Sequence, residues 1–172
     1  MAGKVRQEGI EFCAISALAI AFSSFLKNIP VIGITPWLCR LLEAVECAAI
    51  LYLTDKNMPC ALVPCVLIPI FDVLTGFEIW AHVPLMVLAF AGAALIWHYV
   101  SLGNVIKVIL SAAAMILCRM AGFCMDYISM RDIPLIKSLW RVLRNAWFMP
   151  IAYLTVLLLF ALIYGRQRGK NR

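Results

Sequence analysis

The chain has 172 residues, of which 65% are hydrophobic and 14% charged, with a net charge of +6. That much apolar material exceeds what a soluble domain of this length can bury, and no length is left for a separate soluble module, so the composition calls for a lipid bilayer as solvent. Basic residues cluster at both ends, Lys4 and Arg6 before the first apolar run and Arg166, Arg168, Lys170 and Arg172 after the last, six of the fifteen in the chain, which is a topological signal; no basic-aromatic module for nucleic acid is present.

Segment one covers residues 10–26 and ends at Lys27-Asn28-Ile29-Pro30. It reads as a span and not as a cleaved leader, because its A-x-A tripeptide, Ala17-Leu18-Ala19, lies inside the apolar run. Cys13, Ala17 and Ala21 recur every four residues, so they share one helix face. A stripe of small side chains allows close helix approach in lipid, either within the bundle or against another membrane subunit.

Segment two covers 36–53, with Pro36 suited to a first helical turn. It carries Arg40, Glu43 and Glu46, spaced by three. Charges are costly in hydrocarbon and turn towards the bundle interior, water or each other. The spacing fits an internal Arg40–Glu43 pair with a capped Glu46, and equally a polar wall of a ligand cavity. Thr54-Asp55-Lys56-Asn57 is a short polar turn. Segment three, 58–74, contains Pro59, Pro64 and Pro69, which predict a kinked or broken helix. Asp72 lies near its end, and Gly76-Phe77-Glu78 forms the next turn.

Segment four covers 84–100 and starts after Ala81-His82-Val83. His82 and His98 stand near its opposite ends, and neither has ligand spacing to another histidine. Segment five covers 105–125 and holds Arg119. A more polar stretch, 126–144, follows with Arg131, Asp132, Pro134, Lys137, Arg141 and Arg144. Segment six covers 145–164, with Pro150 in its first half. The seven cysteines form no C-x-x-C and no zinc spacing, and most sit in apolar runs as small hydrophobes.

The expected fold is an all-α polytopic membrane protein, a single bundle of about six transmembrane helices. Basic residues near both ends put both termini in the cytoplasm, with the chain in the cell membrane. An even number of spans then leaves 126–144 outside, although positive charge is better retained inside. Asp72, Glu78, His82, Asp126, Arg141, Arg144 and Asn145 fall near that same outer side, with Trp80, Trp140 and Trp147 at the same level. They form either an interfacial aromatic belt with solvated charges or an outward-facing pocket with stacking rings and a few placed polar groups. No G-x-S-x-G, H-E-x-x-H or P-loop is present, so no enzyme activity and no cofactor are expected.

Three stretches carry a resemblance: Ala17-Leu18-Ala19-Ile20-Ala21 in the first segment, Asp72-Val73-Leu74-Thr75-Gly76 closing the third, and Arg141-Val142-Leu143-Arg144-Asn145 followed by Pro150 at the last. Together with the layout, they resemble the substrate-binding S components of energy-coupling-factor transporters, which import vitamins and other micronutrients. The resemblance implies a six-helix subunit that binds a small polar nutrient from outside, with Arg141, Arg144, Asn145, Asp72 and His82 as polar contacts. Trp80, Trp140 and Trp147 would then stack on the ligand or shield it. Ala17 and Ala21 would dock on a transmembrane coupling subunit, and partner ATP-binding cassette ATPases would supply the energy. More charge in segment two and more prolines in segment three than the family pattern has are the departures. The rival reading is a non-catalytic membrane scaffold similar to the rod-shape determinant of cell-wall synthesis.

Overall fold

The computed structural model describes residues 36–74 and 78–170, and within them the chain is helical with no strand. The helices are α1 (Pro36–Lys56), α2 (Met58–Leu74), α3 (Val83–Tyr99), α4 (Asn104–Arg131), α5 (Leu135–Asn145) and α6 (Phe148–Lys170), and a 3₁₀ turn (Trp80–His82) leads into α3. Segment one, with Ala17 and Ala21, lies outside the described residues.

The regions 80–99, 104–131 and 148–165 are long and apolar enough to cross a bilayer, and they mark the chain as a membrane protein. α1 has the length, 21 residues, but carries Arg40, Glu43 and Glu46 in its first half. α2 is apolar but only 17 residues long, about 26 Å against a hydrocarbon layer of about 30 Å.

The connections are tight, so neighbouring helices run antiparallel. Asn57 alone joins α1 to α2: its amide donates to the Leu53 carbonyl at 2.9 Å, and its side chain accepts from the Cys60 amide at 3.4 Å, capping α2. Pro59 falls in the first turn of α2, where its missing N–H costs nothing. Of the expected kink or break, no break occurs: α2 is one helix through Pro64 and Pro69, and both are buried. Pro150 sits in the first turn of α6, again where no intrahelical donor is needed.

α4 packs between α3 and α6, and α1 packs against α2, α3 and α6. Small residues explain the extensive α3–α4 contact. Ala89, Ala93 and Ala94 of α3 and Ser111 and Ala112 of α4 are all buried, and the Ser111 hydroxyl donates to the Ala93 carbonyl at 3.3 Å. Phe90, Met115, Ile50, Leu51 and Leu157 fill the centre. At one end of the bundle Lys107 donates to the Trp97 carbonyl at 2.9 Å and neutralises the negative end of α3.

The 126–144 stretch is not a loop. α4 runs on to Arg131, 28 residues or about 42 Å, and so extends beyond the hydrocarbon. Asp132 then takes the left-handed conformation at φ 48°, its amide bonded to the Tyr127 carbonyl, which closes the helix end. Next comes α5, which has three faces. Ser138 and Val142 are buried towards the bundle; Leu135, Ile136, Leu139, Trp140 and Leu143 are exposed beside them; Lys137, Arg141 and Arg144 complete the circle. An apolar strip flanked by basic side chains suits a helix lying in the plane of a membrane interface.

Candidate functional site

Residues from α1, the turn before α3, α4 and α6 meet at the end of the bundle where α5 lies. Glu43 of α1 is fully buried and is the centre of the group. Arg119 of α4 grips it with two N–H groups, Nε donating to Oε2 at 3.0 Å and Nη2 to Oε1. Arg40, one helical turn before Glu43, donates to Oε1, and the Tyr153 hydroxyl of α6 donates to Oε2. A forked guanidinium on a carboxylate, with further donors on the same oxygens, is the arrangement that makes buried charge tolerable.

The network continues through Glu78. Arg119 Nη1 donates to Glu78 Oε1 at 2.7 Å, and Arg40 Nη2 lies 3.7 Å from the same oxygen. The Glu78 amide donates to the Asp72 carbonyl at 3.1 Å, which ties the turn to the end of α2. His82 stands between two acids, Nδ1 2.8 Å from Glu78 Oε2 and Nε2 2.9 Å from Asp126 Oδ1. Burial pushes the Glu78 carboxyl up, but His82, Arg119 and Arg40 outweigh it and hold the group below its usual range.

Next to this network lies a cavity of about 450 Å³ between α1, α4, α5 and the start of α6. Arg40, Asp126, Tyr127, Arg131 and Asn145 bring polar groups to its wall, and Phe123, Met130, Val142, Ala146, Phe148 and Met149 line the rest. The Arg40 guanidinium lies over the Phe123 ring at 5.3 Å and Arg131 over Tyr127 at 5.4 Å. Asn145 donates to the Tyr127 hydroxyl at 3.3 Å and so joins α5 to α4 across one side of the cavity. A mostly apolar wall with a few convergent polar groups is suited to a small molecule with an apolar body and a hydrogen-bonding head.

Among the residues expected at the site, Asp72 and His82 are buried at this end of the bundle, and Asn145 lines the cavity. Arg141, Arg144, Trp80, Trp140 and Trp147 are exposed and do not line it. Glu78 and Asp126 of the outer group, and Arg40 and Glu43 of segment two, are also at the site; Arg119, Tyr127, Arg131 and Tyr153 are the additions. Arg119 and Glu43 had a signal, being charges inside apolar spans; Tyr153 had none, since tyrosine is ordinary in a membrane helix. Among the described residues no three His, Cys, Asp or Glu side chains are grouped to hold a metal. Glu78, His82 and Asp126 do not converge on one point, because the imidazole lies between the two acids. His98, at the far end of α3, packs edge-on against Tyr99.

No protein-family model, curated protein or solved structure matches the chain.

Proposed function

We propose that this chain is the membrane-embedded binding subunit of an uptake system for a small polar nutrient, of the S-component kind. The carrying observation is the cavity of about 450 Å³ at one end of the bundle, with Arg40, Asp126, Tyr127, Arg131 and Asn145 in an otherwise apolar wall. In this reading about six helices span the cell membrane, both termini are cytoplasmic, and the cavity opens outward. The chain binds and releases the nutrient. A transmembrane coupling subunit and partner ATPases drive the cycle, because the sequence holds no P-loop.

One observation favours the scaffold reading. Arg141, Arg144 and Trp140 lie exposed on α5, as headgroup anchors would, instead of turning into the cavity.

Native mass spectrometry on gently purified protein separates the two. The nutrient reading expects a small polar molecule at about one per chain, with binding weakened by about 1–2 kcal/mol in Asn145→Ala. Lipids alone, or a co-purified cell-wall membrane protein, would sink it in favour of the scaffold. Loss of a bound nutrient in Arg141→Ala or Arg144→Ala, with Asn145→Ala unaffected, would move the site to the polar face of α5.

A further inference from the structure

The two ring nitrogens of His82 both lie within hydrogen-bond distance of a carboxylate oxygen, at 2.8 Å from Glu78 and 2.9 Å from Asp126. A neutral imidazole donates through one nitrogen only, and its other nitrogen would set a lone pair against a carboxylate. The Glu78–His82–Asp126 chain therefore holds one proton more than a neutral ring between two carboxylates.

Charge leads to the same result. Two guanidiniums, Arg40 and Arg119, stand against three carboxylates, Glu43, Glu78 and Asp126. The extra proton brings these five ion-paired side chains and His82 to zero net charge, and the buried acid Asp72 nearby favours the proton further, since uncompensated charge is costly inside an apolar bundle. The groups around His82 come from every neighbouring element. Glu78 precedes it, Asp126 faces it from α4, Arg119 and Arg40 stand behind Glu78, and Asp72 is the buried acid at the end of α2. The first turn of α3, from Val83 to Met86, brings no titratable group.

Asp126 is the member through which the proton meets the cavity. Its side chain is 31% exposed, against 10% or less for Arg40, Glu43, Glu78, His82 and Arg119. With the proton present, the Asp126 charge is satisfied by His82, and the cavity presents Arg40 and Arg131. Without the proton, Asp126 is an uncompensated anion in the same wall.

We infer that the cavity takes a small carboxylate with an apolar body, and that it binds this ligand together with a proton held on His82. The inference rests on the nutrient-binding reading and names the chemistry of that ligand. Arg40 and Arg131 supply the donors for the carboxylate, and Phe123 and Phe148 cover the apolar part. Losing the proton from His82 places a like charge beside the bound carboxylate and weakens it.

The test uses the full chain in phosphatidylcholine nanodiscs, with benzoate as the probe because it stays ionised where histidine titrates. Histidine labelled with ¹⁵N, in a His98→Gln background, leaves one imidazole to follow by NMR. Its ring is expected to carry protons on both nitrogens at neutral pH and to titrate later still when benzoate is added. Calorimetry on either side of the ring's midpoint should find benzoate bound about tenfold more weakly on the alkaline side. Asp126→Asn should bind on the alkaline side as tightly as the unchanged protein does on the acid side. A singly protonated ring at neutral pH, or equal affinity on both sides of the midpoint, overturns the proton linkage. No benzoate binding on either side overturns the carboxylate assignment. Neither result touches the nutrient-binding reading, which stands or falls on whether a nutrient co-purifies.

Discussion

Glu43 accepts hydrogen bonds from Arg40, Arg119 and Tyr153 and is fully buried. Its value to the fold is asymmetric. The complete network roughly balances its own desolvation, whereas removing the carboxylate leaves two buried guanidiniums sharing Glu78 alone. Glu43→Ala is therefore expected to cost about 3–5 kcal/mol in unfolding measured in detergent micelles. Tyr153→Phe, which leaves the carboxylate with both arginines, should cost only about 1–2 kcal/mol. Glu78 sets the acid limit of the same network. Its folded pKa lies below the ordinary 4.5, so its contribution is complete above 4.5 and is lost as pH falls through the lower folded value. Midpoints of unfolding should show a falling acid limb from this group, and Glu78→Gln should lower stability at neutral pH and flatten that limb.

At the scale of elements, the cap between α4 and α5 and the faces of α5 carry the argument. Asp132 holds a left-handed φ of 48° in the closing turn of α4. Asp tolerates that conformation better than most residues, and glycine tolerates it best. Asp132→Gly should be neutral or stabilising by under about 1 kcal/mol, while the β-branched Asp132→Val should destabilise by about 1–2 kcal/mol in the same unfolding assay. α5 follows at once, and its exposed Ile136, Leu139 and Trp140 need an apolar neighbour. The periodicity was legible in the sequence: Leu135, Leu139, Val142 and Leu143 recur at helical spacing between basic residues. Reading 126–144 as an outer polar stretch by composition concealed it, because a helix in the interface is as polar on one face as a loop is throughout. Trp140 and Trp147 are exposed, which suits an interfacial belt, one of the two arrangements their level in the chain allowed.

For the whole molecule, the antiparallel order of the helices fixes which loops share an end. Asn57 and Asn104 lie at the end away from the cavity, and Asp132 lies at the cavity end. If α1 to α4 cross the bilayer, single cysteines placed at 57 and 104 in a cysteine-free chain should label from one side of the membrane and one at 132 from the other. Labelling of all three from one side would remove the spanning arrangement.

The sequence by itself determined that the chain is helical and built for lipid; its segments follow α1, α2 and α3 closely, but they stop α4 at 125 instead of Arg131 and contain no α5. Those properties follow from local composition, period and capping: long apolar runs, Asn57 before α2, prolines confined to first turns in α3 and α6. It also brought Asp72, His82, Asp126 and Asn145 to one end, since alternating spans dictate that much. Only the tertiary structure decided that Glu43 is held by Arg119 and Tyr153, more than 70 positions away, and that His82 lies between two acids. It alone placed Asn145 in the cavity wall and Arg141 and Arg144 on the surface. Helix rotation makes that choice, and rotation depends on how side chains from several helices pack at once, which no single segment's pattern contains.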